Sequence, residues 1–349
     1  MSIDGKRILV TGGTGSLGQR VVRRLLEGGA GGRPAKVTVL SRDEAKQHDM
    51  RLRFLRRGAA TDDVIYEHAR DLLAFRIGDV RDFTTLVEAV GDADIVIHAA
   101  ALKQVPTCEY FPAEAIRTNV LGADALVRAT VAAGGRVEAV IGISTDKACK
   151  PINVMGMTKA VMERILVEAN LRQPKTRFAC VRYGNVVASR GSVVPLFLEQ
   201  IARGGPVTIT LKEMTRFLLT LDGAVDTVLA ALDGARAGEI YVPRVPAARM
   251  IDLAETLIDG RDIPITYTGI RPGEKIHEIM VSEEECHRTI ERGDYYVVCP
   301  MLPECHPVDA KGGVLSSEYS SADITLDKDG LRALLAPYLT APLPAELNA

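Results

Sequence analysis

Thr145, Asp146 and Lys147 form a run of side chains that can exchange protons, and Lys159 follows on a segment patterned as a helix. A carboxylic acid beside an amine can serve as general acid and general base at two neighbouring carbons. That division of labour suits proton abstraction coupled to elimination. Lys159 adds a positive charge that lowers the pKa of nearby hydroxyls. Asp146 beside Lys147 would ordinarily be read as a surface ion pair. Their position after a buried strand, where open α/β sheets bind ligands, gives the catalytic reading the greater weight.

A second group of residues is suited to a dinucleotide. Thr11-Gly12-Gly13-Thr14-Gly15-Ser16-Leu17-Gly18 lies between an apolar run and an amphipathic one. Gly12 permits a tight turn, and Gly15 lets the backbone approach a pyrophosphate whose charge suits a helix N-terminus. Gly18 allows close helix–strand packing. The glycine spacing alone is weak evidence, but between a strand and a helix it points to dinucleotide binding, with Thr14, Ser16 and Leu17 on the same turn. The next strand ends Ser41-Arg42-Asp43. A carboxylate there would hold the ribose 2′-hydroxyl of NAD, whereas an arginine suits a 2′-phosphate. With Ser41 and Arg42 first, NADP is the expected cofactor and NAD the less favoured one. Asp79 and Val80 are placed to meet the adenine, and Ala99, Ala100 and Ala101 offer small side chains beside the cofactor. His98 is expected to pack near the pyrophosphate rather than catalyse. Lys103, Asn119, Lys159, Tyr183 and Asn185 complete the expected cofactor set.

These groups need a scaffold that delivers them to one edge. Val- and Ile-rich runs without polar alternation predict strands at Arg7–Thr11, Lys36–Ser41, Ala74–Gly78, Ile95–Ala99, Ala139–Ser144 and Arg177–Tyr183. Amphipathic segments at Leu17–Glu27, Ala113–Ala133 and Met155–Asn170 predict helices between them. The alternation gives an α/β fold, a doubly wound parallel sheet of Rossmann type with a smaller α/β lobe. The expected division is 1–185 as the nucleotide-binding domain with 215–245 returning to it, and 186–214 with 246–349 as the lobe and tail. Leu219–Leu232 reads as a helix of the main body, and Arg249–Ile258 and Glu283–Glu291 as helices of the lobe. The chain beyond about Pro303 reads as irregular.

Bulk properties narrow the function classes. The 349 residues suffice for two packed units, and 47% hydrophobic with 25% charged residues excludes a disordered chain. A net charge of −2 argues against a dedicated nucleic-acid binder. There is no apolar run of membrane-spanning length, and MSIDGKRILV does not read as a signal peptide, so a soluble cytoplasmic protein is expected. The six cysteines have no C-x-x-C spacing and read as free thiols. Cys286, His287, Cys299, Cys305 and His306 are zinc-ligand types. Two of their pairs are sequence neighbours, an awkward geometry for a tetrahedral site, so no metal is expected.

The motifs GGTGSLG, SRDEAKQHDMR, HAAALKQVP, STDKACKPINVMGMTK, RYGNVVASRGSVVPLF, MTRF and GIRPGEKIHE together carry a family likeness. Over about residues 5–300 the chain resembles the UDP-N-acetylglucosamine 4,6-dehydratases of bacterial surface-polysaccharide and flagellin-sugar synthesis, which are extended short-chain dehydrogenases. Met155 stands where such enzymes commonly keep a tyrosine, four residues before Lys159; a thioether cannot accept a proton. The capsule-type branch has methionine as here. The resemblance implies a redox-neutral cycle: hydride leaves sugar carbon 4, Lys147 removes the proton from carbon 5, Asp146 protonates the departing 6-hydroxyl, and hydride returns to carbon 6. It leans toward inversion at carbon 5. With methionine at 155, Thr145 is the expected relay for the 4-hydroxyl proton, helped by Lys159, and Tyr183 is an alternative acid–base. Lys103, Asn185, Arg190, Ser192, Val193, Arg216, Arg271 and Glu274 match the segments that bind a UDP-sugar. Arginine forks suit the diphosphate. Relatives assemble as dimers or hexamers, so a homo-oligomer is expected, with Met50–Arg57 as a candidate interface.

Two other readings stand beside this one. A UDP-sugar 4-epimerase needs only oxidation and hydride return, with no acid to expel the 6-hydroxyl, so Asp146-Lys147 argues against it. A non-catalytic NADP- and UDP-sugar-binding module draws on Met155, and would bind both ligands without turnover.

Overall fold

The computed structural model describes residues 1–28, 31–55, 72–187, 192–305 and 313–339; Arg190, His306, the end of Met50–Arg57 and residues 340–349 lie outside the described residues. Six strands build the parallel body: β1 (Arg7–Thr11), β2 (Lys36–Ser41), β3 (Leu73–Ile77), β4 (Ile95–His98), β5 (Ala139–Ile143) and β6 (Arg177–Val181). The first two have the bounds expected from the apolar runs, and the others end one or two residues sooner. Small strands follow: β7 (Asn185–Val186), β8 (Val207–Ile209), β9 (Thr215–Leu219), β10 (Ile240–Pro243), β11 (Ala247–Arg249), β12 (Ile265–Tyr267), β13 (Ile279–Val281), β14 (Thr289–Arg292), β15 (Tyr295–Val298) and β16 (Tyr319–Ser320).

The main sheet has nine strands in the order β14-β15-β10-β6-β5-β4-β1-β2-β3. From β3 to β10 all neighbours are parallel, and β15 and β14 add antiparallel edges. Chain order reverses between β1 and β4, which leaves a crevice beyond their carboxyl ends. One apolar core covers each face: Leu9, Val96 and Val140 point to one, Ile8, Val10 and Ile141 to the other. Alternate residues of each strand thus bury on opposite faces, which is why the sequence runs show no polar alternation.

The lobe has its own core around Phe197, Leu253 and Leu257. Its sheets are small: β11-β9-β7, β12-β8 and β13-β16. Among the described residues no helix is long and apolar enough to cross a membrane.

Three expectations are corrected. The run Glu283–Glu291 is helical only over Glu283–Cys286, opened by a capping box between Ser282 and Glu285. Thr289–Arg292 then turns through Gly293, at φ 59°, into β15. A two-residue Gly-Asp connection is a hairpin signal, and β-branched Thr289 and Ile290 favour a strand over another helical turn. This hairpin extends the main sheet, so 246–349 does not all lie in the lobe. The tail beyond Pro303 is also more regular than its punctuation suggests. Tyr319–Ser320 pairs with β13, and Lys328–Leu339 is a helix whose Leu331 and Leu335, one turn apart, are fully buried in the lobe core. The other helices match more closely, with Thr220 capping Leu221–Gly234 where the segment Leu219–Leu232 was expected.

Candidate active site

The glycine turn is as tight, and packs as closely, as its spacing implies. Gly12 adopts φ 68°, and a Cβ there would lie 2.6 Å from the Ala100 nitrogen on the neighbouring loop. A Cβ on Gly18 would lie 2.5 Å from Gly13 Cα and 2.6 Å from the Gly12 carbonyl. Only glycine lets the helix Ser16–Glu27 press its N-terminus this close to β1, where its free N–H groups and dipole face the crevice. The crevice opens into a cleft of about 780 Å³ that runs from Gly12 and Arg42 to Arg271. The cradle fits a dinucleotide, which the turn would hold at its phosphates, with Val80 and Ala99 to Ala101 lining the same cleft. Replacing Gly18 by Ala forces backbone against backbone. The expected outcome is loss of dinucleotide binding in fluorescence titration, with the fold retained by circular dichroism; retained binding would contradict the assignment.

At the ribose end, Thr14 and Ser41 share a hydrogen bond of 2.8 Å. The Asp43 carboxylate is occupied by the Lys46 backbone and ammonium, which hold it below the usual carboxylate range. Arg42 is half exposed, its guanidinium 3.6 Å from Asp79. Burial opposes ionisation of Asp79, but hydrogen bonds from Arg81 prevail and lower its pKa. Asp79 does not line the cleft although Gly78 and Val80 do. Its carboxylate is engaged by Arg81 at 2.6 Å and Arg42 at 3.6 Å.

Asn119 is also placed differently from the expectation. It is 1% exposed, accepts from the Leu102 nitrogen at 2.8 Å and donates to the Leu102 carbonyl at 3.0 Å. It thereby clamps the loop carrying Lys103, which does line the cleft. The helix expected at Ala113–Ala133 widens into a π-turn at Ile116–Leu121, around this asparagine. Such turns recur where a side chain must be re-aimed at a functional site. His98 is fully buried with Nδ1 2.8 Å from Thr11 Oγ1, and burial together with the Lys159 charge pushes its pKa down to about 3. It is a neutral tie between β1 and β4.

The chemistry end is built on a 3₁₀ turn, Asp146–Ala148, directly after β5. Thr145 caps it and donates its hydroxyl to Asp146 Oδ1 at 2.8 Å. Lys147 Nζ lies 3.2 Å from the same oxygen. Asp146 is 1% exposed, its Oδ2 finds no hydrogen-bond partner among the described residues, and it sits just behind the cleft wall formed by Thr145 and Lys147. A Cβ on Gly184 would lie 2.6 Å from Phe217 Cβ and 3.3 Å from Asp146 Oδ2, so a larger residue there would crowd the acid. Burial raises the Asp146 pKa, and Glu278 adds to the shift against the opposing charge of Lys147.

Lys159 and Met155 lie on the helix Val154–Arg172 and both line the cleft. Lys159 Nζ approaches the Met162 sulfur at 3.0 Å, and burial lowers its pKa to about 8. Met155 is 5% exposed and packs against Cys108 and Ala115. Burial raises the Tyr183 phenol, which makes it a poor proton acceptor near neutrality. Asn153 positions this helix: its Oδ1 accepts from Gly156 N and its Nδ2 donates to the Gly273 carbonyl, both at 2.8 Å. Gly156 is a contact point, since a Cβ there would lie 2.1 Å from the Lys147 carbonyl.

Arg216, Arg271, Glu274, Asn185 and Ser192 all reach the cleft, while Val193 packs into the lobe core. Arg216 is 7% exposed and donates to the Thr215 and Ile276 carbonyls. Arg271 is largely exposed and 4.0 Å from Glu274. Two residues were missed from sequence. Asn153 had the helix-cap pattern as its signal. Glu278 closes the segment GIRPGEKIHE, and a carboxylate at the end of a motif rich in ligand-type residues was the available clue. Among the described residues no cluster of His, Cys, Asp and Glu is arranged to hold a metal.

A doubly wound parallel sheet opened by this glycine turn is the fold of the extended short-chain dehydrogenases. Residues 8–300 match the family described as polysaccharide biosynthesis protein, and the chain belongs to that family. A protein of Rickettsia typhi named UDP-glucose 4-epimerase is 44% identical over 300 residues, 85% of this chain and 83% of that protein. The X-ray structure of Pen from Bacillus thuringiensis superposes with a TM-score of 0.84 at 31% identity, covering 97% of this chain and all of that one. DesIV of Streptomyces venezuelae, a dTDP-glucose 4,6-dehydratase solved with NAD and TYD, has a TM-score of 0.65 at 24% identity over 77% of this chain and 86% of its own, a likeness of fold. The chain is a nucleotide-sugar-modifying short-chain dehydrogenase.

Proposed function

We propose that the chain is a UDP-N-acetylglucosamine 4,6-dehydratase that uses NADP and yields a UDP-4-keto-6-deoxy sugar. The observation that carries this reading is the Asp146–Lys147 pair, 3.2 Å apart at the carboxyl end of β5. The dinucleotide, when bound, supplies reversible hydride exchange with the sugar carbons. The chain's own residues move the protons. One proton is shared by the pair: burial raises Asp146, while Asp146 and Glu278 outweigh burial at Lys147 and hold the ammonium, so the working form, a neutral Lys147 amine beside a loaded Asp146 acid, is reached when that proton passes from Lys147 to Asp146. A 4-keto group makes the carbon-5 proton acidic; Lys147 removes it and Asp146 protonates the departing 6-hydroxyl. Arg42, Ser41 and Thr14 support a 2′-phosphate, and Arg216 and Arg271 a diphosphate.

The 4-hydroxyl proton needs an acceptor other than Met155. Lys159, with its pKa lowered to about 8, is amine-like enough to take part, and Thr145 is proposed as the relay. Thr145→Val is expected to reduce turnover at least tenfold in a product-formation assay; full turnover would dismiss the relay.

A 4-epimerase is the second reading, favoured by the name of the Rickettsia typhi relative. Incubation with UDP-N-acetylglucosamine in deuterated water separates the two. Loss of water with deuterium at carbon 5, read by mass spectrometry and proton NMR, supports the dehydratase, and ring coupling constants give the carbon-5 configuration. A product of unchanged mass with altered carbon 4 supports the epimerase. Unchanged substrate with both ligands bound supports a non-catalytic module.

A further inference from the structure

Lys147 has a second carboxylate partner that the mechanism above does not use. Its Nζ lies 3.0 Å from Glu278 Oε1, closer than the 3.2 Å to Asp146 Oδ1. Glu278 arrives from a distant part of the chain, just before β13, and lines the cleft. It is 2% exposed, and its Oε2 has no hydrogen-bond partner among the described residues. A buried carboxylate held this incompletely is costly, and here Lys147 and Arg216 offset that cost.

We infer that Glu278 is a positioning residue that holds Lys147 against Asp146 and sets the pH window in which that pair works. This inference rests on the dehydratase reading of the pair. The charged groups facing the cluster are few. Lys147 meets Asp146, Glu278 and, more remotely, Arg216 and Lys275, and its Nζ lies 3.5 Å from the Asn185 amide oxygen. Glu278 meets Lys147, Arg216 at 3.8 Å and Lys275, whose own ammonium donates to the Cys149 carbonyl at 2.6 Å. The His277 ring is turned to the Thr215 hydroxyl at 2.8 Å.

The signs follow from Coulomb attraction. Burial opposes ionisation of Glu278, but Lys147 and Arg216 overcome it and keep the carboxylate charged. That negative charge disfavours a second one on Asp146 and favours the ammonium on Lys147, so it raises both. The pair is active when it holds one proton. The acid limb of the rate profile reports the first proton lost and the alkaline limb the second. Glu278 moves both limbs to higher pH.

The test is the pH profile of kcat for water loss from UDP-N-acetylglucosamine in wild type, Glu278→Gln and Glu278→Asp. In Glu278→Gln both limbs are expected to move to lower pH by about one unit or more. In Glu278→Asp, which keeps the charge, the limbs stay in place while the rate falls. A Glu278→Gln profile that loses height without moving would overturn the inference, since a merely structural residue lowers rate alone. Should Glu278→Gln not fold, Glu278→Ala, which also removes the charge, decides: limbs displaced to lower pH sustain the inference and unmoved limbs refute it. Wild type that fails to eliminate water from this sugar would instead refute the dehydratase reading.

Discussion

Asp146→Asn is expected to lower water loss by about 10²–10⁴-fold, the usual contribution of a positioned general acid, while oxidation at carbon 4 remains detectable. The substitution is close to isosteric. Asparagine Oδ1 can still accept from Thr145 and Lys147, as Asp146 Oδ1 does at 2.8 and 3.2 Å. What disappears is the proton that the 6-hydroxyl must receive. Rapid mixing would show the reduced nicotinamide absorbance rise and persist, with no 6-deoxy product in the mass spectrum. Product at the wild-type rate would remove Asp146 from the role of acid. The experiment also bears on the 4-epimerase reading, because an epimerase has no use for this proton and would tolerate the change.

Arg182→Met is expected to destabilise the chain by about 3–5 kcal/mol in urea unfolding, the range for breaking one side of a buried ion pair. Arg182 is 2% exposed and lies between two carboxylates, with Nη2 2.7 Å from Glu163 and Nη1 2.7 Å from Glu285. Glu163 also accepts the Ser144 hydroxyl at 2.5 Å, which connects this cluster to the start of the catalytic turn. Methionine fills the volume but removes the ion pair of Glu163 and leaves Glu285 with Arg288, 3.3 Å away, in place of two guanidinium partners. The effect carries a pH signature. Burial would raise the Glu285 pKa, but Arg182 holds it at about 2, below its ordinary 4.5. A depressed carboxylate contributes stability that is full above the unfolded value and fades as pH falls through the folded one. The gap between wild type and Arg182→Met should therefore be widest above about pH 4.5 and narrow toward pH 2. A gap that does not change with pH would locate the loss in packing instead.

Local patterns reveal much of this site and fail at its long-range closures. The glycine turn and the β1 and β2 bounds were legible because steric need and burial on both faces act within a few residues. Thr145, Asp146 and Lys147 were legible as a run on one turn. Glu278 was not, because its meaning comes from Lys147, which reaches it only after the lobe folds back onto the main sheet. Asn119 was expected in the cofactor set, yet its amide faces the Leu102 backbone. The first residues of the hairpin, Thr289–Glu291, were taken for the end of the helix expected at Glu283–Glu291, because a charged start with scattered apolar residues satisfies a helical period until Gly293 is weighed as a turn.

Asp146, Lys147 and Glu278 also place catalysis and durability in opposition. Three ionic side chains are enclosed together, and two of their oxygens go without a donor among the described residues. Buried ionic groups of this kind are commonly matched or surpassed in stability by apolar residues of similar size. Directed evolution that rewards heat resistance without assaying turnover would therefore drift toward greasy substitutions at these three positions, giving a sturdier chain that has lost its reaction.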